Sequence, residues 1–298
     1  GHFDYRNIIH QSINYVPTYQ APYNSDSYDA VNCYSTEDYF VCIVGNDLMP
    51  DLAISRMTVN SNQSGLQAVD KIRRYENESA SGTWRSSIVL VADDGPTSSD
   101  YSDGALHTKQ SEDLSVESIP DFVQRKKIYL VDYPTETVAN GRRKPGVTQS
   151  IFSTINGNGS LLLNWIGHGS PRLWANEMIF EKDAHVQLFE NNDKVFLLTA
   201  ATCDFARFDD ANRQSGAEEL LMKPFGGAIG VFASTRAVYA DRNFRITSEF
   251  YRWLFSREAN GDHLRLDDIM YRVKVAFYID NDRKFILLGD PALRLLLP

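Results

Sequence analysis

The chain has 298 residues, of which 43% are hydrophobic, and α/β proteins of this length often form one unit with a sizeable core. A formal net charge of −9 disfavours binding to phosphate backbones, so we expect no nucleic-acid partner. The three cysteines exclude a disulfide framework, no apolar run approaches the roughly 18 residues of a spanning helix, and no secretory signal is visible at the N-terminus.

Apolar runs alternate with amphipathic segments along the chain, which is typical of strands and helices that follow one another. Up to residue 133 the pattern predicts, in order, loops over 1–38, strands at 39–45 and 52–57, a helix at 64–77, a strand at 87–93, a mostly helical segment at 105–125 and a strand at 127–133. The remainder predicts a helix at 146–156, a strand at 160–167, a helix at 182–191, a strand at 194–201, a helix at 215–223, a strand at 226–234, helices at 243–257 and 265–276, and a short closing strand. This alternation of continuous apolar strands with helices predicts an α/β fold, with a mostly parallel sheet and helices on both faces.

Two chemically active residues stand directly after predicted strands. His168 follows the strand 160–167, in the sequence Gly-His-Gly-Ser, and Cys203 follows the strand 194–201. They are 35 positions apart, which fits one strand–helix–strand crossover, so we expect both side chains at the same edge of the sheet. An imidazole beside a thiol favours the thiolate nucleophile, and the pair therefore predicts nucleophilic catalysis. On spacing alone, the alternative is that His168 caps a turn and Cys203 fills the core.

Backbone groups near this pair also suit catalysis. The glycines beside His168 let the backbone approach a substrate closely. The N–H groups near Gly169 and Cys203 are candidates for an oxyanion hole. The other histidines have no ligand-like spacing, so we predict no metal site at His2, His10, His107, His185 or His263.

Longer motifs surround both residues. NWIGHGSPRLW, around His168, resembles the histidine motif of the gingipain-type (C25) cysteine peptidases, and TAATCDFARFDD, around Cys203, resembles their cysteine motif. Within this caspase-like clan, the segments ATCDFARFDD, SGAEELL, KPFGGAIGVFASTRAVY and LLGDPALRL look most like the PorU-type sortase of type IX secretion. The likeness spans nearly the whole chain. It implies one caspase-like catalytic domain over 1–298, with an N-terminal subdomain 1–80 and a catalytic subdomain 81–298.

The resemblance implies roles for individual residues. Cys203 matches the nucleophile and His168 the general base or acid. Asp93, at the end of the strand 87–93, stands where gingipains have a carboxylate that orients the histidine, with Asp in place of Glu; Asp94 is the neighbouring candidate. The alternative for both acids is a helix cap or a solvated turn, because Asp favours these positions.

Other residues near the predicted edge are candidates for an oxyanion hole or substrate pocket, namely Gly169, Trp174, Asp204, Ser234, Thr235 and Arg236. The last three end the strand 226–234, in a loop that borders the substrate pocket in caspase-like folds. Trp174 either lines a pocket or packs. Asp204 is followed by Arg207, Asp209 and Asp210, and these charges either shape the pocket or pair among themselves.

The loop 91–104 is rich in oxygen ligands. It contains Asp93, Asp94, Asp100 and Asp103, and such loops suit calcium, which gingipains bind. A hydrated surface loop is the alternative. The resemblance therefore implies no required cofactor and allows calcium as a structural ion.

The function implied by the resemblance is that of a type IX sortase. Such an enzyme cleaves the C-terminal sorting domain from cargo proteins through an acyl-enzyme, here on Cys203, and transfers the cargo to cell-surface lipopolysaccharide. Cargo proteins, lipopolysaccharide and other outer-membrane components of the secretion machinery are the implied partners. The chain has no starting Met, so we expect a fragment of a longer protein that reaches the outer face of the outer membrane by means of a signal peptide. The alternatives are a secreted gingipain-like endopeptidase that only hydrolyses and a non-catalytic module of the secretion machinery.

Overall fold

The computed structural model describes residues 16–21, 33–78, 81–95, 103–139, 141–210 and 212–298. In chain order the strands are β1 (Gln20–Ala21), β2 (Tyr34–Ser35), β3 (Ser87–Ala92), β4 (Gln124–Tyr129), β5 (Glu136–Val138), β6 (Gly141–Arg143), β7 (Leu162–Ile166), β8 (Leu173–Trp174), β9 (Phe180–Glu181), β10 (Phe196–Ala201), β11 (Ala228–Ser234) and β12 (Phe285–Gly289). The helices are α1 (Asn62–Glu78), α2 (Leu106–Glu117), α3 (Pro145–Phe152), α4 (Lys182–His185), α5 (Gly216–Met222), α6 (Ala240–Leu254), α7 (Leu266–Ala276) and α8 (Asp280–Arg283). Within these ranges no helix combines the length and the apolar composition needed to cross a membrane.

Six strands form the central sheet, in the order β12-β11-β10-β7-β3-β4. Neighbouring strands are parallel except β11 and β12, which are antiparallel. Successive side chains of a strand point to opposite faces of the sheet and so belong to two different cores. In β3, for example, Ile88 and Leu90 lie in one core and Val89 and Val91 in the other. Helices α2, α6 and α7 contribute to the first core, and α3 and α5 to the second. The predicted α/β fold, with helices on both faces of a mostly parallel sheet, is confirmed.

The two strands predicted at 39–45 and 52–57 are wrong. A 3₁₀ turn occupies Asp38–Val41, and the second segment makes only one isolated bridge, between Arg56 and Leu288. The N–H groups of Ile43 and Val44 donate to the carboxylate of Asp51 at 2.7 and 2.8 Å. These two N–H groups are therefore paired with a side chain instead of with a neighbouring strand. The apolar run is therefore a turn with exposed side chains rather than a buried strand.

Short elements also differ from the sequence pattern. The helix predicted at 182–191 is limited to α4 and a 3₁₀ turn over Val186–Leu188. The segment predicted as mostly helical at 105–125 contains α2 but already enters β4 at Gln124. Two hairpins, β5–β6 and β8–β9, were not predicted, because strands of two or three residues are too short to show a period of hydrophobicity.

Buried polar contacts join residues 33–78 to the sheet and its helices. Nζ of Lys274, in α7, lies 2.8 Å from the carboxylate of Asp38. The hydroxyl of Thr235 donates to the carbonyl of Ser35 at 2.8 Å. The subdomain boundary near residue 80 stays a prediction.

Lys71 of α1 is buried against the C-terminal end of α5. Its ammonium donates to the carbonyls of Leu221 and Lys223 at 3.0 and 2.9 Å, groups that a helix end otherwise leaves unpaired. Burial lowers the pKa of Lys71 to about 7. The unfolded chain therefore binds one more proton than the folded chain at every pH between about 7 and the ordinary lysine pKa of about 10.4.

We expect Lys71→Met to flatten the pH dependence of stability. In the natural chain, the Lys71 contribution makes the free energy of unfolding rise with pH across this window, by up to about 1.4 kcal/mol per pH unit. Urea unfolding at about pH 7.5 and about pH 9.5 should therefore show a gain about 2 kcal/mol larger in the natural chain than in the variant. Lys126→Met, at an exposed position, is the control and should match the natural chain. Equal slopes in the natural chain and in Lys71→Met would contradict this account.

Candidate active site

The register of the parallel strands places the predicted residues at one edge. Ile166 of β7 pairs with Ala92 of β3 on one side and with Ala201 of β10 on the other. His168 and Cys203 each lie two residues beyond the paired Ile166 and Ala201. Asp93 directly follows Ala92 on the third strand. The prediction that His168 and Cys203 meet at one edge of the sheet is confirmed.

Asp93 holds the backbone of the histidine loop rather than the imidazole. Its Oδ2 accepts the backbone N–H of His168 at 3.0 Å, and its Oδ1 accepts that of Asp94, also at 3.0 Å. Burial raises the pKa of Asp93, whereas the hydrogen bond from His168 and the charge of that residue lower it. The predicted contact between Asp93 and the imidazole is wrong, and the catalytic role of Asp93 stays a prediction.

The imidazole of His168 is bound by Asp103. Nε2 of His168 lies 2.6 Å from Oδ2 of Asp103, whose side chain is 11% exposed. The sequence placed Asp103 only among the calcium candidates. It missed this contact because Asp103 comes from a loop eleven residues beyond the end of β3, and no hydrophobic period fixes the path of a loop.

A second residue missed from the sequence is His107, in the first turn of α2. Its Nε2 lies 3.3 Å from Oδ2 of Asp103, and its ring packs edge-on against that of His168 with 5.3 Å between the centroids. The only sequence signal was the four-residue spacing of Asp103 and His107, which places both on one side of a helix start. The absence of a metal at His107 stays a prediction, although potential ligand atoms of Asp103, His107 and His168 lie within 4.8 Å of one another.

The acidic residues predicted for calcium do not stay together. Asp103 faces the two imidazoles, and Asp100 lies outside the described residues. Asp93 and Asp94 gather instead with Glu177, their carboxylates within 4.8 Å of one another. Asp94 is paired with Nζ of the buried Lys144 at 2.8 Å. Calcium binding stays a prediction.

Cys203 is partly buried and contacts the backbone of Val238. Its Sγ lies 3.5 Å from the carbonyl oxygen of Val238 and accepts the N–H of the same residue at 3.4 Å. Burial, and to a smaller extent the charge of Asp204, raise the pKa of the Cys203 thiol. No hydrogen bond joins the side chains of His168 and Cys203, both of which belong to the described residues. The resting arrangement is therefore a neutral thiol near a histidine that Asp103 holds.

Two glycines let the histidine loop lie close to its neighbours. A Cβ on Gly167 would lie 2.5 Å from Cβ of Asp93, and one on Gly169 would collide with Oγ1 of Thr202, the residue before Cys203. Within the described ranges, the N–H groups of Gly169 and Cys203 have no hydrogen-bond acceptor, as an oxyanion hole requires.

The side chains of Ser234, Thr235 and Arg236 brace the site and do not line a pocket. All three residues are at most 1% exposed. The hydroxyl of Ser234 donates to the carbonyl of Thr202 at 2.6 Å, and the guanidinium of Arg236 binds both carboxylate oxygens of Asp209, at 2.9 and 2.6 Å. The pocket prediction for these three side chains is wrong, because their polar groups are already engaged inside the protein. Asp209 was expected either to shape the pocket or to pair with the charges that follow Cys203, and it pairs instead with Arg236.

Trp174 and Asp204 were also predicted to line the pocket, and the structure places them differently from each other. Trp174 is fully buried and stacks on Trp165 with ring centroids 5.5 Å apart, so it packs and does not line a pocket. Asp204 is partly buried beside Cys203, with a left-handed φ of 59°, and its Oδ1 is buried without a hydrogen-bond partner in the described part of the chain. Among the predicted pocket side chains, that of Asp204 is the one that is not fully buried.

Comparison with known proteins agrees with the motifs. The sequence matches the model of peptidase family C25 over residues 1–296. The chain belongs to peptidase family C25. The predicted family is therefore confirmed, and the predicted closeness of this C25 chain to the PorU-type sortase stays a prediction. No curated protein sequence gave a significant match.

Solved structures show the same fold as this C25 peptidase of gingipain type. The crystal structure of the Arg-specific cysteine proteinase gingipain R is similar with a TM-score of 0.67 and 20% identity. The complex of Porphyromonas gingivalis RgpB pro- and mature domains gives 0.65 and 19%, and a third structure, of a protease, gives 0.68 and 16%. Each match covers 88% of this chain and 60% of the other, so the chain spans about three fifths of these structures. They confirm the predicted caspase-like, gingipain-like fold.

We expect the rate of Cys203 alkylation by iodoacetamide to reach half its maximum above about pH 8.5, the ordinary thiol pKa. The reason is that burial and Asp204 disfavour the thiolate. Peptide mass mapping separates Cys203 from Cys33 and Cys42, and a small free thiol in the same solution is the reference. A midpoint near or below neutral pH would instead show a thiolate–imidazolium pair in the resting protein.

Proposed function

We propose that this chain is the catalytic domain of a cysteine peptidase that forms an acyl-enzyme on Cys203. The observation that carries the proposal is the matched position of His168 and Cys203, two residues beyond the paired Ile166 and Ala201 of adjacent parallel strands. The N–H groups of Gly169 and Cys203 support it, because both are without an acceptor in the described part of the chain. Membership of family C25 supports it independently.

The first half-reaction uses His168 as a base and then as an acid. Sγ of Cys203 bonds to the carbonyl carbon of the peptide, and the thiol proton passes to Nδ1 of His168, the ring nitrogen that Asp103 does not hold. The N–H groups of Gly169 and Cys203 bind the oxygen that gains negative charge. His168 then returns the proton to the leaving amine, the C–N bond breaks and a thioester remains on Cys203.

Sγ has to leave the backbone of Val238 before it attacks. In the resting arrangement both hydrogen-bonding capacities of the thiol are taken up by Val238. A substrate carbonyl placed between Sγ and the N–H groups of Gly169 and Cys203 supplies the stabilisation that replaces this contact. The raised pKa of the thiol agrees with proton transfer during attack instead of before it.

For the second half-reaction we propose transfer to an amine. Water and an amine both resolve a thioester, and only the accepting nucleophile differs. The PorU-like segments ATCDFARFDD, SGAEELL and LLGDPALRL favour transfer over hydrolysis. In this proposal the substrates are cargo proteins with C-terminal sorting domains, the acceptor is lipopolysaccharide, and the enzyme works at the outer face of the outer membrane beside other components of type IX secretion. An endopeptidase that only hydrolyses is the second candidate.

We expect Asp103→Asn to lower kcat/KM for peptide cleavage by about 10²- to 10⁴-fold, since the uncharged amide no longer stabilises the imidazolium or fixes its tautomer. The acidic limb of the pH profile should also move to lower pH in this variant, a shift that a merely structural defect would not cause. Asp93→Asn is the matched comparison. It should cost about 10-fold or less, because its amide oxygen still accepts the backbone N–H of His168. The reverse ranking would restore Asp93 as the residue that orients the imidazole.

The fate of the acyl-enzyme can be read by adding a labelled amine to the chain together with a mixed peptide library. We expect mass spectrometry to find products that carry the amine at their new carboxyl ends. Cys203→Ala, the control, should give neither transfer nor cleavage. Products with only free carboxylates would reject transfer and support the peptidase that only hydrolyses. Full cleavage by Cys203→Ala would show that Cys203 is not the nucleophile.

A further inference from the structure

We infer that Asp103, His107 and His168 form a Zn²⁺ site that includes the histidine of the candidate dyad. Each residue offers a ligand atom within 4.8 Å of the other two, and the three come from separate positions of one edge of the fold. Asp103 and His107 flank the start of α2, and His168 follows β7. Two imidazoles and one carboxylate are a ligand set that zinc prefers, whereas calcium prefers oxygen ligands alone.

The distances are close to those of a tetrahedral site. Ligand atoms held about 2.1 Å from a tetrahedral metal lie about 3.4 Å from one another. Oδ2 of Asp103 is already 3.3 Å from Nε2 of His107 and 2.6 Å from Nε2 of His168. The two rings are nearly perpendicular, at 88°, with 5.3 Å between their centroids. Movement of Asp103 away from His168 by about 1 Å therefore opens space for the ion between the three atoms.

His107 supplies the independent observation that points to a ligand. The residue is 4% exposed, and neither ring nitrogen makes a hydrogen bond of normal geometry with the described part of the chain. Its Nε2 lies 3.3 Å from Oδ2 of Asp103 without hydrogen-bond geometry, so a bond from Nε2 to a metal would replace a poorly aligned contact inside the protein.

Access to the site is from the side of His168. The side chain of His168 is 39% exposed, while those of Asp103 and His107 are 11% and 5% exposed. Three protein ligands leave a fourth position of the tetrahedron open to water or another small ligand. The other acidic cluster of this edge, Asp93 with Asp94 and Glu177, offers oxygen atoms only and so does not compete for zinc.

Metal binding changes the state of His168. A metal on Nε2 requires the tautomer of His168 that carries its proton on Nδ1, so the proton that Nε2 shares with Asp103 moves to Nδ1 through solvent. The bound imidazole can then no longer accept the thiol proton at Nδ1, and Asp103 is occupied by the metal. If the proposed cysteine mechanism holds, on which this step rests, zinc is a reversible inhibitor that binds the base His168 and leaves the thiol of Cys203 unbound.

The binding test is made in the Cys203→Ala background, so that it does not depend on catalysis. Calorimetric titration with Zn²⁺ should give one site per chain, and Co²⁺ should give the intense visible absorption of a tetrahedral complex. His107→Gln and, separately, His168→Gln should each weaken zinc binding by about 10-fold or more. His263→Gln is the matched control, because His263 is also partly buried but lies between α6 and α7. Circular dichroism checks that each variant is folded. If His107→Gln does not fold, His168→Gln still decides the test, because His168 is partly exposed.

The outcomes separate this site from a metal held by the catalytic pair. Equal affinity in the natural chain and in Cys203→Ala, lost in both histidine variants, supports the site. Loss of binding in Cys203→Ala would mean that sulfur is a ligand and would overturn the inference. Affinity unchanged by both histidine variants would overturn it as well. If zinc binds as expected but no peptide is cleaved with or without a chelator, the metal site stands and the proposed function fails.

Discussion

Parallel hydrogen bonding of β7 between β3 and β10 determines where chemistry can occur in this chain. The shared register of Ala92, Ile166 and Ala201 puts three strand ends level with one another. Each strand is buried on both faces, so charged side chains stand where the ladder stops, while the polar Asn164 and Thr199 inside it hydrogen-bond to each other. Asp93, His168 and Cys203 follow directly from this constraint.

Loops carry the site, and contacts to backbone atoms hold these loops in place. Asp93 binds the backbone of His168, Ser234 binds the carbonyl of Thr202, and Val238 engages the thiol of Cys203 through its own backbone. Such contacts fix where a loop runs while leaving its remaining side chains free. In this arrangement Asp103, which comes from a separate loop, is the group that contacts the imidazole of His168.

The sheet and the shared edge of His168 and Cys203 could be predicted because they depend on local pattern and on a general rule of topology. Buried strands are continuous apolar runs, and one crossover of 35 residues brings His168 and Cys203 to the same edge. The same rule failed at residues 39–45, where the carboxylate of Asp51 captures two amides and a turn forms. Asp103 and His107 could not be placed, since their position depends on how far a polar loop reaches across the edge. The roles of Ser234, Thr235 and Arg236 were misjudged because proximity to a site in sequence does not say which way a side chain points.

The buried pair of Asp209 and Arg236 joins the loop after Cys203 to the loop after β11. Both charges are almost fully withdrawn from water and neutralise each other through two hydrogen bonds. Removing one partner alone would leave an uncompensated buried charge, at a cost of about 3–5 kcal/mol. A loop transplanted from a relative to alter substrate choice would therefore have to bring a partner for the buried charge that stays behind.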